Sequence, residues 1–555
     1  MLANWRFHFV QIVLLALLAV VVWRVLSLQV LEKEFLIDQG TSRWQRTEVI
    51  NAPRGMLTDR HGEPVAVSTP VVSVWADPRE LREADIGKLA AASGVSEPTL
   101  AARRQQHRAF MYVTRHLAPA VAEEILALEI PGVYGLTEYK RYYPAGEVAS
   151  HIVGITDIDD RGQEGIELAY DRQLQSRAGK KEVIRDLIGR SVRDVGEIEA
   201  PKAGRDLSLT IDLRLQYLAY RELKKAVSQM GATGGSVVMM DVQTGDILAM
   251  VNQPGFNPNN RASMEPAAMR NRAMTDQFEP GSVMKPFSMA VALESGQFQP
   301  DSVIDTSPGY MKLGTYTIRD FRDYGELDLT SIITKSSNIG MAKVALQLEG
   351  QDLWNMLYGL GLGQSTGIGF PGEAVGRLPN QVEWHPVEQA SMAYGYGIAV
   401  TPLQLAQAYS TLANGGRRVY ARILMDAPIE TGPQIIPEKI SRQVLAMMET
   451  VVQPSGTGTA AALDWFSVAG KTGTVHKVGD EGYFDDRYMS TFVGVAPAQN
   501  PEVVTVVVIN EPPSDAYYGG RVAAPVFTGI MRQALPLLGV EPDQIPPQAR
   551  MEGDL

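Results

Sequence analysis

The sequence predicts an α+β protein. A domain built on an antiparallel sheet with helices is preceded by an extended, mixed α/β pedestal region and one N-terminal membrane-spanning helix. Three observations carry this. An apolar run lies close to the N-terminus. A charge-rich region follows, in which short β-like runs alternate with helical patches. In the C-terminal part, β-like runs cluster at both ends with helical patterns between them.

Residues 9–28 read FVQIVLLALLAVVVWRVLSL, and Gln11, Arg24 and Ser27 are the clearly polar members. At about 1.5 Å per residue the run spans about 30 Å, the hydrocarbon thickness of a bilayer. Arg24 lies near the outer end, where a long side chain can snorkel to the interface, and Trp5 and Trp23 suit the two interfaces. A cleaved signal peptide would have a shorter apolar core ending at a small-residue site; this run continues through Val25, Leu26 and Leu28. An uncleaved single-pass anchor is therefore predicted. The tail of residues 1–8, with Arg6, is placed in the cytoplasm and the rest of the chain outside, although Lys33 and Arg43 follow closely and keep the charge difference small.

From about residue 29 to 204, β-like runs such as 71–75 (VVSVW) alternate with helical patches at 81–92 and 119–128. Turn signals recur at Pro53-Arg54-Gly55, Asp59-Arg60-His61-Gly62 and Pro144-Ala145-Gly146. No catalytic constellation stands out in this region, which reads as a structural or docking module.

A shift in composition follows. Residues 207–211 read as a strand and 213–228 have helical spacing. The apolar runs 235–240 and 247–251, separated by Asp241-Val242-Gln243-Thr244-Gly245-Asp246, read as a hairpin. Far downstream, 466–469, 491–496 and 503–509 are further strand candidates. Strands at both ends with helices between them give the antiparallel α+β expectation. The polar, Pro-rich end, 541–555, reads as a flexible tail.

Composition excludes several functions. The net charge of −12 argues against a nucleic-acid partner, which needs a basic surface. The chain has no cysteine, so disulfides, thiol nucleophiles and Cys-ligated zinc are out, a composition compatible with export. Its 7 histidines form no HExxH or other close pair, and neither a metal nor another cofactor is expected.

Chemistry concentrates in three short segments. The first is Glu279-Pro280-Gly281-Ser282-Val283-Met284-Lys285, where a Pro-Gly turn leads into a helical pattern through Met289, Val291 and Leu293. Ser282 and Lys285, three apart, share one helical face. A serine hydroxyl needs a base to take its proton, and a lysine serves only if burial or a second cation brings its pKa down towards neutrality. The helix start supplies free backbone N–H groups to developing negative charge. The second segment is Ser336-Ser337-Asn338: a hydroxyl able to relay protons and an amide able to bond both Lys285 and a substrate carbonyl. The third is Lys471-Thr472-Gly473-Thr474, after the candidate strand 466–470. Lys471 is the candidate second cation, Thr472 and Thr474 can bond a carboxylate, and Gly470 and Gly473 leave room for another backbone to pair with the strand. Each segment alone is commonplace: a capped helix, a capped turn, a strand end. Their joint occurrence in this order is the signal.

With these residues in view the chain resembles a class B penicillin-binding protein over nearly its whole length. Residues 271–282, NRAMTDQFEPGS, resemble the division-specific branch, penicillin-binding protein 3, as does Val74-Trp75-Ala76-Asp77-Pro78. Residues 53–62, PRGMLTDRHG, resemble the family's membrane-proximal signature. Arg141-Tyr142-Tyr143-Pro144 and 162–167, GQEGIE, resemble pieces of its pedestal. Tyr394-Gly395-Tyr396-Gly397, Thr401-Pro402-Leu403-Gln404 and Gly456-Thr457-Gly458 complete the pattern, and Val283 departs from it where the family commonly has threonine.

The resemblance implies a transpeptidase domain of the penicillin-binding-protein and serine β-lactamase type at 205–540, after a dimerisation-type pedestal at 29–204. It implies a serine D,D-transpeptidase that takes the D-Ala-D-Ala end of peptidoglycan stem peptides through an acyl-enzyme and is acylated by β-lactams. By the same resemblance Ser282 is the nucleophile, Lys285 the base, and Ser336 with Lys471 the proton relay. Asn338, Thr472, Gly473 and Thr474 bind substrate, and the backbone N–H groups of Ser282 and Thr474 form the oxyanion hole. The implied setting is the inner membrane at the division septum, with the catalytic domain periplasmic. The implied partners are a SEDS-family lipid II polymerase and other division proteins, because no glycosyltransferase-sized domain precedes the catalytic one. The alternatives are a D,D-carboxypeptidase or β-lactamase-type hydrolase, a penicillin sensor, which would need an output domain that eight residues cannot supply, and a scaffold with a dead site.

Overall fold

The computed structural model describes residues 4–36, 45–185, 191–381, 383–479, 482–513 and 517–544. The chain folds into two compact units: Met1–Gly55 with Ser68–Lys140 and Gln175–Arg205, and Met56–Val67 with Arg141–Leu174 and Asp206–Leu555. Segments 56–67 and 141–174, read from sequence as pedestal, pack with the larger unit because Leu57, Val65, Tyr143, Ile152 and Ile166 join its core.

In the smaller unit the helix Asn4–Leu26 continues as a π-helical turn, Ser27–Leu31. Together they form 28 residues, whose most apolar 18-residue stretch has a mean hydropathy of 2.6 and no buried residue, the one helix among the described residues long and apolar enough to cross a membrane. Arg24, at its far end, turns to Glu32 with an Nη1–Oε1 distance of 2.9 Å. Residues 1–3 of the predicted cytoplasmic tail lie outside the described residues. Strands Gln45–Ile50, Gly179–Arg185 and Ser191–Glu199 form one antiparallel sheet. The run 71–75 lies in the long strand Pro64–Ala76, which pairs with Met111–Leu117. Val74, Leu89, Leu100, Met111 and Ile125 make a small core there. The helix predicted from residue 81 begins only at Ile86, because Leu81 N closes a turn on Asp77 O at 3.0 Å.

The larger unit is built on a five-stranded antiparallel sheet in the order Ile247–Gln253, Gly234–Asp241, Val503–Asn510, Gly482–Ala496, Ala469–Gly479. Alternation along the strands feeds two cores. Val237, Met239, Val507 and Ile509 face the helices Leu213–Met230 and Ala524–Leu537, whereas Val238, Met240, Val506 and Val508 face the helices that carry the site. Both faces are covered, so the inner strands read as unbroken apolar runs.

Three expectations shift. The strand predicted at 207–211 shrinks to Leu207–Ser208, with Leu209 making a lone bridge to Leu424. The strand predicted to end before Lys471 begins at Ala469 and runs to Gly479, because pairing with Gly482–Ala496 starts there; Phe466 and Val468 bury themselves without pairing. Residues 543 and 544, read as tail, are tied down: Asp543 accepts from Ser467 N at 2.6 Å, and Gln544 N donates to Trp465 O at 3.2 Å. The rest of that tail, from 545, lies outside the described residues.

The motifs at 141–143 and 162–167 meet in the larger unit. Arg141 Nε donates to Glu167 Oε1 at 2.6 Å with side chains 1% and 0% exposed. Removing one partner of a buried pair strands the other charge and costs about 3–5 kcal/mol. Glu167→Ala is therefore expected to lower unfolding stability by about that much in a denaturant titration, whereas truncating an exposed pair such as Arg442 with Glu438 leaves it within about 1 kcal/mol.

Candidate active site

The site is assembled from three segments of the larger unit. Gly281 takes φ +59°, the left-handed conformation that closes the Pro-Gly turn, and a Cβ there would lie 2.3 Å from Val475 Cγ1. The turn Gly281–Met284 is 3₁₀, and the α-helix Lys285–Glu294 follows with Pro286 in its first turn. Three residues per 3₁₀ turn stack Ser282 over Lys285 more directly than the α-helical face expected from sequence. Ser282 is half-buried between the buried Gly281 and Val283. The turn is held from outside: Gly281 N donates to Gly395 O at 3.0 Å and Tyr409 Oη to Val283 O at 2.5 Å. A Cβ at Gly395 would lie 2.1 Å from Gly281 O, which explains the glycine of Tyr394-Gly395-Tyr396-Gly397.

Lys285 and Lys471 are both fully buried and converge on Ser336. Lys285 Nζ donates to Ser336 O at 2.6 Å and Asn338 Oδ1 at 2.7 Å, and lies 3.3 Å from Ser336 Oγ. Lys471 Nζ donates to Ser336 Oγ at 2.9 Å and Thr472 O at 2.9 Å. Burial pulls the Lys285 pKa down to about 7, against the charge of Asp320, which opposes the fall. Burial, and then the charge of Lys285, hold Lys471 well below the usual lysine range. The fall at Lys285 thus comes mainly from desolvation, the first of the two causes considered from sequence, and repulsion between the two amines adds to the fall at Lys471. A neutral amine has two N–H donors and one lone pair. For Lys285 the donors are taken by Ser336 O and Asn338 Oδ1, which leaves the lone pair for a hydroxyl proton.

Ser336 ends the helix Leu329–Lys335 at φ 59°, ψ 40°, an uncommon conformation for a residue with a side chain. It turns both its carbonyl and its hydroxyl towards the lysines. Ser337 caps the next helix, Asn338–Ala345, through Gly340 N at 2.9 Å. Asn338 uses its oxygen on Lys285 as expected, and its Nδ2 donates to Arg319 O at 3.1 Å, leaving one amide hydrogen for a ligand.

Ala469–Gly479 is the edge strand of the sheet. Thr472 Oγ1 lies 2.9 Å from Thr457 Oγ1, which places the Gly456-Thr457-Gly458 motif beside it. Thr474 Oγ1 accepts from Gly519 N at 3.0 Å, so its own hydroxyl proton remains available. The two glycines differ. A Cβ at Gly470 would strike the Phe492 ring at 2.6 Å, whereas one at Gly473 would lie 3.0 Å from Val283 Cγ1 and 3.1 Å from Pro280 O. Gly473 lets the strand close on the serine turn, and Gly470 serves internal packing. Beyond Thr474, a cavity of about 600 Å³ flanks the strand, lined among others by Glu279, Arg377, Val475 and His476.

The structure joins Lys285, Ser336, Asn338 and Lys471 in one hydrogen-bonded cluster and sets Gly473 against the turn that carries Ser282. Sequence reading missed Asp320, Tyr409 and Gly519, which act through turns and helix caps. A helix-start hydroxyl, a buried lysine able to lose its proton and an open strand edge together equip a site for acyl transfer through serine.

Comparison with known proteins agrees with this chemistry. The penicillin binding protein transpeptidase domain matches residues 235–532, and the penicillin-binding protein dimerisation domain matches 49–209. The chain is 43% identical over 546 residues to a probable peptidoglycan D,D-transpeptidase PbpC of Pseudomonas aeruginosa, covering 98% of this chain and 97% of the relative. It is 40% identical over 552 residues to the peptidoglycan D,D-transpeptidase FtsI of Escherichia coli K12, covering 98% and 93%. The transpeptidase domain of penicillin-binding protein 3 from Burkholderia pseudomallei superposes with a TM-score of 0.56 at 40% identity, covering 60% of this chain and 98% of that structure. The chain belongs to the penicillin-binding protein family, with the class B arrangement of dimerisation and transpeptidase domains.

Proposed function

We propose that the protein is a serine D,D-transpeptidase that cross-links peptidoglycan stem peptides during septal wall synthesis. The observation that carries this is the pair of buried lysines sharing the Ser336 hydroxyl, one of them a single 3₁₀ turn after Ser282, next to a strand at the sheet edge. The names of the full-length relatives support the substrate class.

In the proposed reaction neutral Lys285 takes the Ser282 proton as Oγ attacks the penultimate D-Ala carbonyl. The N–H groups of Ser282 and Thr474 hold the oxyanion, each such donor contributing about 3–4 kcal/mol. The C–N bond breaks, and the leaving D-Ala amine takes a proton through Ser336 with Lys471 behind it. Asn338 holds the donor amide through its remaining hydrogen. Thr472 and Thr474 hold the terminal carboxylate, and Gly473 keeps the strand close enough for the peptide to lie along it. An amine from a neighbouring stem peptide then attacks the ester carbonyl; its surplus proton passes through Lys285 to Ser282 Oγ as the C–O bond breaks, and the serine is restored. β-Lactams acylate Ser282 by the same first step.

The helix Asn4–Leu31 is proposed to anchor the protein in the inner membrane with the catalytic unit outside the cytoplasm. Strand polymerisation is assigned to a separate SEDS-family lipid II polymerase. The division role rests on the likeness of residues 271–282 to the septal branch.

Four tests follow from this reading. A fluorescent penicillin should label the wild type and leave Ser282→Ala dark; equal labelling removes the nucleophile. Lys285→Arg should slow acylation by about 10²–10⁴-fold, since a guanidinium cannot give up its proton. Because the Lys285 pKa is lowered to about 7, its amine is charged and inactive below that pH and neutral above it. The acylation rate should therefore rise with pH through about 7 and then level off. Depleting the protein should give filaments; round cells would instead assign it to elongation.

A further inference from the structure

Asp320 follows the strand Tyr316–Arg319 and is half-buried beside the site. Neither the three motifs nor the family resemblance marks it. Its carboxylate collects three donors from one short segment. Oδ1 accepts from Asn338 N at 2.5 Å and Ile339 N at 3.1 Å, and Oδ2 accepts from Ser337 Oγ at 2.5 Å. The residue before it, Arg319, accepts Asn338 Nδ2 on its carbonyl. The Arg319–Asp320 pair therefore grips the backbone and side chains just after Ser336, whose left-handed conformation turns two acceptors onto the lysines.

We propose that Asp320 is a positioning residue for the general base: it fixes the Ser336–Asn338 segment against Lys285, and its charge favours the ammonium that forms when Ser282 gives up its proton. The inference rests on the reading of Lys285 as that base.

Two opposed effects act on Lys285. Burial disfavours the ammonium, and the Asp320 carboxylate favours it. Lys471, on the edge strand, is the other ionisable group at the amine, and its own pKa is held far down. Charged side chains on the helices packed around Lys285 are engaged elsewhere. Lys335 donates to Ser455 O and Lys343 to Asp305 O. Asp352 acts on Glu294, Glu449 accepts from Gln499, and Glu438 pairs with Arg442. Asp320 is thus the carboxylate placed to set the strength of the base. A base made weaker transfers the proton less readily, so losing the charge should move the pH limb and lower the plateau together.

The test is the pH profile of acylation by a labelled penicillin, on the purified full chain in detergent micelles, with melting temperature as the folding control. Asp320→Asn removes the charge and keeps the shape. Asp320→Glu keeps the charge, and Ser337→Ala removes one hydrogen bond while leaving the carboxylate in place. The expected result is a limb shifted to lower pH and a plateau about tenfold down in Asp320→Asn, with the limb restored in Asp320→Glu. Ser337→Ala should keep the wild-type limb and lose only rate. An unshifted limb in folded Asp320→Asn overturns the assignment and leaves Lys285 as the base. A wild-type profile with no limb near pH 7 overturns the base reading and this inference with it. Asp320→Ser, which keeps an acceptor for the Asn338 amide without the charge, replaces the Asn variant if that one melts below the assay temperature. Loss of folding in both uncharged variants assigns Asp320 to stability alone and overturns the proposal.

Discussion

Two lysines are buried against one serine hydroxyl, and the rest of the catalytic unit is arranged around the cost of doing so. An ammonium taken out of water loses several kcal/mol of solvation, and two of them side by side repel. At Lys285 the drop from 10.5 to about 7 corresponds to roughly 5 kcal/mol. The sign is destabilising. Between those two values the unfolded chain holds a proton that the folded chain lacks, so stability falls as pH falls, and below about 7 the full penalty is present. The unit that carries this penalty is built on two separate apolar cores, one on each face of its central sheet. Burial also removes charge from the amine proposed to act as the base near neutral pH.

The polar groups that receive these lysines are supplied by backbone held in unusual shapes. Ser336 takes a left-handed conformation, costing about 1–3 kcal/mol, and turns its carbonyl and hydroxyl the same way. Helix caps on either side hold it there: Asp328 on Ser331 N before it, Ser337 on Gly340 N after it. The serine turn is fixed comparably by absent side chains. Gly395 backs onto Gly281, and Gly473 lies against Pro280 O and Val283. At these positions a methyl group would displace the turn that carries Ser282, which is why glycines distant in sequence belong to one constraint.

This arrangement explains what the sequence reveals and what it hides. Ser282 with Lys285, Ser336 with Asn338, and Lys471 through Thr474 were legible because each pair is local, and local spacing survives whatever the fold does. The five-stranded sheet was legible in its inner strands, where both faces are buried and apolar runs are unbroken. The edge strand was misread at its start. Residues 469–479, AGKTGTVHKVG, are poor in strand-favouring side chains, and pairing with Gly482–Ala496 overrides that weak preference. The apolar residues just before it, Phe466 and Val468, mimicked a strand while only filling core. Asp320 was hidden because a carboxylate capping a helix from 18 residues away leaves no periodic trace, and the Tyr409 bond to Val283 spans 126 residues. The interleaved units were hidden too, since segments 56–67 and 141–174 are assigned by packing alone.

An open strand edge is ordinarily a liability, because it offers unpaired N–H and C=O groups to any extended chain. Here the strand Ala469–Gly479 stays an edge, and the turn that carries Ser282 stands across it at Gly473. A peptide entering that slot finds backbone hydrogen bonds that do not depend on its sequence. Selectivity must then come from the ends of the slot. At one end Thr472 and Thr474, each steadied by a neighbour, offer hydroxyls suited to a terminal carboxylate. At the other the strand runs past Thr474 to a cavity bordered by Glu279 and Arg377. In the proposed reaction a chain lacking a free carboxylate at the right distance from its scissile bond gains the edge pairing but not the hydroxyl contacts. Its carbonyl would not be drawn to the N–H groups of Ser282 and Thr474, and the exposed edge would remain a substrate site, not a general one for pairing.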